Sequence, residues 1–379
     1  MVQAARLGYL RWPPIRIDSI PVSSLFFDLS THAGQADAAK RLDGGEIIAI
    51  PTDTVPGLAI RADQANSAEL LASLKRSSAG RPFSLHLAHL EAVQKLLPVL
   101  PPGLPLWISE FLPQGVTVLL PKSWVKLPSS LPWCWDQVGI RLPNHPQYRD
   151  LADILGFPLL MTSINSSGEA PEQGAALISW LEERQIPYAK GLDLLGDTSP
   201  SEVVSFDPLP KSIRSSGSGN LPMPGKRVLI LCSGNICRSP VAEAILREML
   251  AQAWQVSTEE LESLGWVIAS AGTFAMSGGA ISEHSYTVGQ EMGLDLSKHR
   301  SKHVDEALQE PWDLILGMGP NHLGGLPKQF DVDLFDPSGQ PVPDPFGGEL
   351  QHYQIMRDHL IEAARHRLAL WSHWPQDQS

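Results

Sequence analysis

Cysteine is scarce in this chain, with three in 379 residues, and two of them, Cys232 and Cys237, share one short loop. So few exclude a disulfide framework and point to a reducing compartment, expected to be the cytoplasm. Long apolar runs are missing too. None approaches the roughly 20 residues of a membrane span, and no membrane partner is expected. The opening MVQAARLGYLRWPPIRID breaks at Trp12-Pro13-Pro14 before an apolar region develops, unlike a signal peptide. Basic runs are also absent. The net charge is -12, with 18 Lys and Arg against 21 Asp and Glu in residues 1–225, and 11 against 20 in residues 226–379. Neither half reads as a basic nucleic-acid module, and the acidity serves solubility. No internal repeat and no metal motif is found. His352, His359 and His366 recur every seven residues, too far apart to share an ion, and are expected on a solvated helix face.

What is present suits two soluble domains. A chain of 379 residues with 43% hydrophobic and 18% charged residues can bury two cores. Ser215-Ser216-Gly217-Ser218-Gly219-Asn220-Leu221-Pro222-Met223-Pro224-Gly225 has linker composition. The expected organisation is an N-terminal arm at 1–24, a first domain at 25–217, a linker at 218–225 and a second domain at 226–379. Gly219 to Lys226 superficially resembles a Walker loop, but the spacing is one residue too long and Arg227 stands where Ser or Thr is required.

In the second domain, apolar strands at 228–231, 266–270 and 313–317 alternate with helical patterns at 240–253, 283–293 and 349–370. That order predicts an α/β domain with a central parallel sheet flanked by helices. The first strand runs into CSGNICRSP, a loop that ends at a helix start, where ligands of such folds bind. Backbone N–H groups and the helix field would hold an oxyanion there and favour a thiolate at Cys232. Arg238, six positions on, can grip two phosphate oxygens. Asp344, in PVPDPFGG, reads from composition alone as a turn aspartate.

VLILCSGNICRSPVAEA, with Ser270-Ala271-Gly272-Thr273, WDLILGM at 312–318 and Asp344-Pro345-Phe346, resembles the low-molecular-weight protein tyrosine phosphatase family over about 226–372. The resemblance implies a hydrolase acting through a phosphocysteine. Cys232 would be the nucleophile, Arg238 the phosphate ligand and Asp344 the general acid. Ser233, Gly234, Asn235, Ile236 and Cys237 would form the phosphate loop, and Ser239 would donate to the thiolate. Asn235, Ser270 and His299 would make up the network that fixes the loop. A threonine at position 236 is associated with phosphoarginine phosphatases, so Ile236 points to a phosphorylated protein bearing phosphotyrosine, or to a small aryl phosphate. The tail after Asp344-Pro345 pulls the other way, because tyrosine phosphatases often carry a further aromatic there. Arsenate reduction is rejected, since no cysteine follows Cys237. Cys237 itself reads either as a reversible disulfide partner of Cys232 or as a packed loop residue.

The first domain contains GGEIIAIPTDTVPGLAI, VGIRLPNHP, PLLMTSINSSGEAP and SEVVSFDPLPKSIRSSG. Apolar runs flank a hydroxyl-rich turn at Thr52, Asp53 and Thr54, which would line a polar cleft. In this order the segments resemble the threonylcarbamoyl-AMP synthase family, a nucleotidyltransferase of tRNA processing, over about 25–217. That implies an α+β domain with a twisted mixed sheet and no tightly bound cofactor. ATP with Mg2+ would be a substrate, beside L-threonine and bicarbonate, and tRNA-modification proteins would be partners. The product would feed threonylcarbamoyladenosine at position 37 of tRNA. Residue by residue, the implied binding set is Thr52, Thr54, Lys75, Arg76, Thr117, Arg141, Ser163, Asn165, Ser201 and Arg214. Three positions depart from the family pattern: Pro56 replaces Tyr, Ser77 replaces Arg and Glu202 replaces Thr. Arg76 and Arg81 flank the missing arginine, and the carboxylate of Glu202 is expected near the polyphosphate. A degenerate nucleotide- or RNA-binding module is the alternative.

Overall fold

The computed structural model describes residues 25–74, 83–129, 131, 135–165, 170–195, 199–207, 209–214 and 222–375. The expected arm at 1–24, residues 218–221 of the expected linker, and Lys75, Arg76, Ser77 and Arg81 lie outside them. Two compact units form, the first within Met1–Pro98, Glu110–Asp207 and Lys211–Gly219, the second within Val99–Ser109, Pro208–Pro210 and Asn220–Ser379. No helix among the described residues is long and apolar enough to cross a membrane.

The first unit is built on ten strands: β1 (Phe26–Phe27), β2 (Ile48–Ile50), β3 (Gly57–Arg61), β4 (Ser84–His86), β5 (Val116–Pro121), β6 (Gln137–Arg141), β7 (Leu159–Ser163), β8 (Tyr188–Ala189), β9 (Glu202–Phe206) and β10 (Pro210–Arg214). They lie in the order β1-β8-β2-β3-β7-β4-β6-β5-β9-β10. The sheet is mixed, as expected. β4 with β6 and β5 with β9 run parallel, while β2 with β3, β3 with β7, and β5 with β6 run antiparallel. The central strands read as near-continuous Ile, Leu, Val and Ala because they are buried, with Ile48, Leu58, Leu85, Val118 and Ile140 at 0–1% exposure. The two-residue strands β1 and β8 are too short to show any period in the sequence. The hydroxyl-rich turn at 51–56 joins β2 to β3, at the sheet end where Ser163 closes β7.

In the second unit β11 (Arg227–Cys232), β12 (Val267–Gly272), β13 (Leu314–Gly317) and β14 (Val332–Leu334) form a wholly parallel sheet in the order β12-β11-β13-β14. The helices Arg238–Trp254, Glu283–Glu291 and Leu350–Ser372 match the predicted helical stretches. The helix after the cysteine loop begins two residues earlier than its apolar pattern, so Arg238 and Ser239 occupy its first turn. Leu229, Leu231, Ala271 and Ile315 bury one sheet face beneath Val304 and Ala307. β14 was not anticipated. Its Val-Asp-Leu sequence is largely exposed at the sheet edge, where a charged residue suits an unpaired side. Residues 99–109 also belong to this unit, where the Trp107 indole N–H donates to the Pro222 carbonyl (2.6 Å) and the Gly103 N–H to that of Trp371 (2.9 Å). Gly103 has φ +84°, and a Cβ there would sit 2.2 Å from the Pro224 carbonyl oxygen, so only glycine is accommodated.

Candidate active sites

β11 carries Cys232 to its carboxyl end, where the chain leaves the sheet and turns into the helix Arg238–Trp254. The thiol is 2% exposed. Its Sγ lies 3.0 Å from the Ser239 Oγ and accepts the Asn235 N–H at 3.2 Å. Asn235 adopts φ +53°, a left-handed conformation that asparagine tolerates better than most side chains. Four hydrogen bonds hold it there. Its Nδ2 donates to Ser239 Oγ and Ser270 Oγ (both 2.9 Å), its Oδ1 accepts the Lys302 N–H (2.8 Å), and its carbonyl accepts from His299 Nε2 (2.7 Å). Burial lowers the His299 pKa, against the pull of the Asn235 carbonyl. The ring is therefore neutral near pH 7 with its proton on Nε2. Cys237, at the helix N-cap, makes no side-chain capping bond, which leaves the helix N-terminal field directed at the loop.

Arg238 lies beneath the loop and donates to the Asp344 carboxylate at 2.5 Å, with longer contacts to Ser233 Oγ (3.4 Å) and the Val342 carbonyl (3.5 Å). A cavity of about 200 Å³ opens over Cys232, bounded by Ile236, Arg238 and Asp344 and by the rings of Phe274 and Phe346. Those rings are 82% and 73% exposed, so they stand as walls at the mouth. Behind Ser233, the buried His322 places its Nε2 3.1 Å from the Ser233 Oγ. Burial and the Arg238 charge lower the His322 pKa, opposed by the Gly319 carbonyl and Asp344. Cys237 sits 3.4 Å from Ser282 Oγ and 3.7 Å from Tyr353 Oη, and both described cysteines are free. A larger cavity, about 450 Å³, lies against Glu243, Arg247, Asp295 and His299 and is lined by neither described cysteine. On the last helix His352 and His366 are exposed, while His359 is half-buried against Asp336 at 2.8 Å.

In the first unit Arg141, at the end of β6, reaches the 51–56 turn. One guanidinium nitrogen donates to the Asp53 carboxylate (2.7 Å) and to Thr54 Oγ1 (2.5 Å). Thr52 Oγ1 accepts the Thr54 N–H (3.2 Å) and donates to the Val55 carbonyl (2.8 Å). Burial lowers the Arg141 pKa and Asp53 opposes it, while the Arg141 Nε–H is buried with no partner among the described residues. Ser201 brings the second group together. Its Oγ lies 3.0 Å from Thr117 Oγ1, and Arg214 donates to its Oγ (3.0 Å) and its carbonyl (2.8 Å). Burial and then the charge of Arg141 lower the Arg214 pKa. Ser163 donates to Asn165 Oδ1 at 2.9 Å. Glu202 departs from its expected place. In the β5–β9 register it pairs with Val116, and successive side chains alternate faces, so its carboxylate lies on the sheet face opposite Ser201 and Thr117. Lys75 and Arg76 are outside the described residues. No group of three or more His, Cys, Asp or Glu among the described residues could hold a metal ion.

Residues 227–372 match the family model described as low molecular weight phosphotyrosine protein phosphatase. The Bacillus subtilis protein-arginine-phosphatase is 33% identical over 147 residues, 36% of this chain and 91% of that protein. The chain belongs to the low molecular weight phosphatase family. A Ralstonia solanacearum protein named "probable low molecular weight protein-tyrosine-phosphatase" is 29% identical over 140 residues, 34% of this chain and 84% of that protein. Residues 40–215 match a second family model, that of the Sua5/YciO/YrdC domain, described as telomere recombination. Human threonylcarbamoyl-AMP synthase is 34% identical over 180 residues, 44% of this chain and 63% of that protein. The chain thus spans less than two thirds of that synthase. The two matched family models occupy separate stretches of one chain.

In the phosphatase domain the structure gathers every residue singled out from the sequence around one loop. Sequence reasoning missed His322, Phe274 and Tyr353. Phe274 directly follows Ser270-Ala271-Gly272-Thr273, a signal that was available, whereas His322 reaches the loop from 89 residues away and left none. In the Sua5/YrdC domain His86 was also missed. It is buried, and burial together with Arg141 lowers its pKa to about 3.

Proposed function

We propose that the phosphatase domain hydrolyses phosphate monoesters through Cys232, a reading carried by one observation: a buried sulfur receives two hydrogen-bonding groups at a helix N-terminus, beside a paired arginine and carboxyl. Incoming phosphate displaces Asp344 from Arg238, and the guanidinium takes two phosphate oxygens. The Cys232 thiolate attacks phosphorus, the ester P–O bond breaks, and protonated Asp344 gives its proton to the leaving oxygen. Water then attacks the phosphocysteine with Asp344 as base, releasing inorganic phosphate and restoring the thiolate. Ile236 and the walls Phe274 and Phe346 favour aryl phosphates, phosphotyrosine included. The arginine-phosphatase relative supports a second reading, hydrolysis of phosphoarginine. Turnover of p-nitrophenyl phosphate, a phosphotyrosine peptide and a phosphoarginine peptide by the full chain separates them. Burst release of nitrophenol is expected from the parent, and none from Cys232→Ser.

We propose further that the Sua5/YrdC domain joins L-threonine, bicarbonate and ATP into threonylcarbamoyl-AMP, with loss of water and pyrophosphate. The carbamate oxygen would attack the α-phosphorus and the pyrophosphate bond would break. The charge of Arg141 felt at Arg214, together with the unpartnered buried Nε–H of Arg141, supports an anion-binding role for both. Thr52, Thr54, Thr117, Ser163, Asn165 and Ser201 supply the polar lining, and Lys75 and Arg76 complete the set. Ser77, in place of the family's arginine, favours the alternative of a nucleotide-binding module without turnover. Pyrophosphate release that requires threonine and bicarbonate together supports synthesis; ATP binding without release supports the alternative.

A further inference from the structure

His322 is the buried histidine closest to the proposed reaction that nothing above puts to use. Its surroundings fix the state of the ring. Nδ1 faces the Gly319 carbonyl at 3.2 Å and must carry the proton, because a carbonyl can only accept. In the neutral ring, the form that burial favours, Nε2 is then an acceptor, and it meets the Asn321 Nδ2 at 3.3 Å and the Ser233 Oγ at 3.1 Å. The Ser233 hydroxyl therefore donates to the ring, which turns its lone pairs away from His322 and toward the Arg238 Nη2 at 3.4 Å.

That orientation matters most after substrate arrives. In the resting loop Arg238 has three acceptors: the Asp344 carboxylate, the Val342 carbonyl and Ser233 Oγ. The proposed reaction takes Asp344 away to serve the leaving group, and two anchors remain. A serine hydroxyl left to rotate could present its hydrogen to the guanidinium and repel it. We propose that His322 is a positioning residue of the phosphate loop, which by accepting the Ser233 hydroxyl keeps that oxygen available to Arg238 once Asp344 has moved. It rests on the hydrolytic reading of Cys232.

The test uses the full chain with p-nitrophenyl phosphate as substrate and inorganic phosphate as competing ligand. His322→Leu and Ser233→Ala should each lower kcat/KM by about tenfold, the scale of one neutral hydrogen bond, and weaken phosphate binding similarly. The double variant should lose no more than either single one, because both remove the same link. His322→Gln can present an oxygen near the Nε2 position and should recover to within about threefold of the parent. A residue that merely packs would show losses that multiply with Ser233→Ala and no recovery by glutamine, and that result overturns the proposal. So does parental kcat/KM and phosphate affinity in His322→Leu. If the leucine variant does not fold, the glutamine and Ser233→Ala proteins still decide it: loss in Ser233→Ala with glutamine near the parent supports the link, and parental Ser233→Ala sinks it. Should the parent itself show no turnover, the reading of Cys232 fails, while calorimetric titration of phosphate into the same proteins still judges His322.

Discussion

Asp344 is the residue whose dual engagement is easiest to test. Its carboxylate is held by Arg238 at 2.5 Å in the resting loop, yet the proposed reaction needs it protonated and facing the leaving group. Asp344→Asn should lose a hundredfold or more in kcat on an alkyl or unactivated aryl ester, on the order of what general acids contribute, and far less on p-nitrophenyl phosphate, whose leaving group needs little protonation. Equal losses on both substrates would remove Asp344 from the acid role. In the Sua5/YrdC domain His86 sets a pH limit. Its pKa falls from 6.5 in the open chain to about 3 in the fold, so between those values the unfolded state binds more protons and stability rises with pH. The contribution is complete above about pH 6.5 and declines as the pH falls toward 3. Urea unfolding midpoints should drop steadily over that window. His86→Gln should flatten the dependence; a slope as steep as the parent's would mean that another group carries the acid sensitivity.

At the scale of elements, a strand's parity decides what a residue can do. Glu202 sits one position from Ser201 in the sequence, and aligned motif against motif it appears to threaten the polyphosphate. Pairing of Glu202 with Val116 puts it on the other face. We therefore expect Glu202→Thr to leave ATP affinity within about twofold of the parent while lowering the melting temperature, because a buried carboxylate loses its interactions. Calorimetric titration that shows several-fold tighter binding would return the carboxylate to the site. The same parity explains what was legible. β11, β12 and β13 announced themselves because both of their faces are covered, and the cysteine loop was legible because Cys232, Asn235, Arg238 and Ser239 fall within one eight-residue segment. β14 alternates Val and Asp at an edge and looks like loop, and His322 depends on a long-range contact that local composition does not encode. Glu202 needed a register, which a single strand never contains.

For the whole molecule, the division into units does not follow the chain simply. Val99–Ser109 belongs to the second unit, and through it Trp107 and Gly103 bond to Pro222 and Trp371. A fragment starting at Pro222 lacks both donors. It should fold, because the four-stranded sheet and its helices are intact, but unfold a few degrees below the same unit in the full chain, the scale expected for about 1–2 kcal/mol in a domain of this size. Calorimetric scans of fragment and full chain compare the two directly, and coincident transitions would show that residues 99–109 add nothing. Because Asp344 occupies Arg238 at rest, the candidate catalytic pocket carries its own anion. Chloride would have to exchange one charge for another and lose a well-aligned carboxylate in doing so, whereas a phosphate dianion brings twice the charge and a matching fork. An internal competitor of this kind acts as a threshold: the common monoanions of a cell stay below it, and the proposed substrate class crosses it.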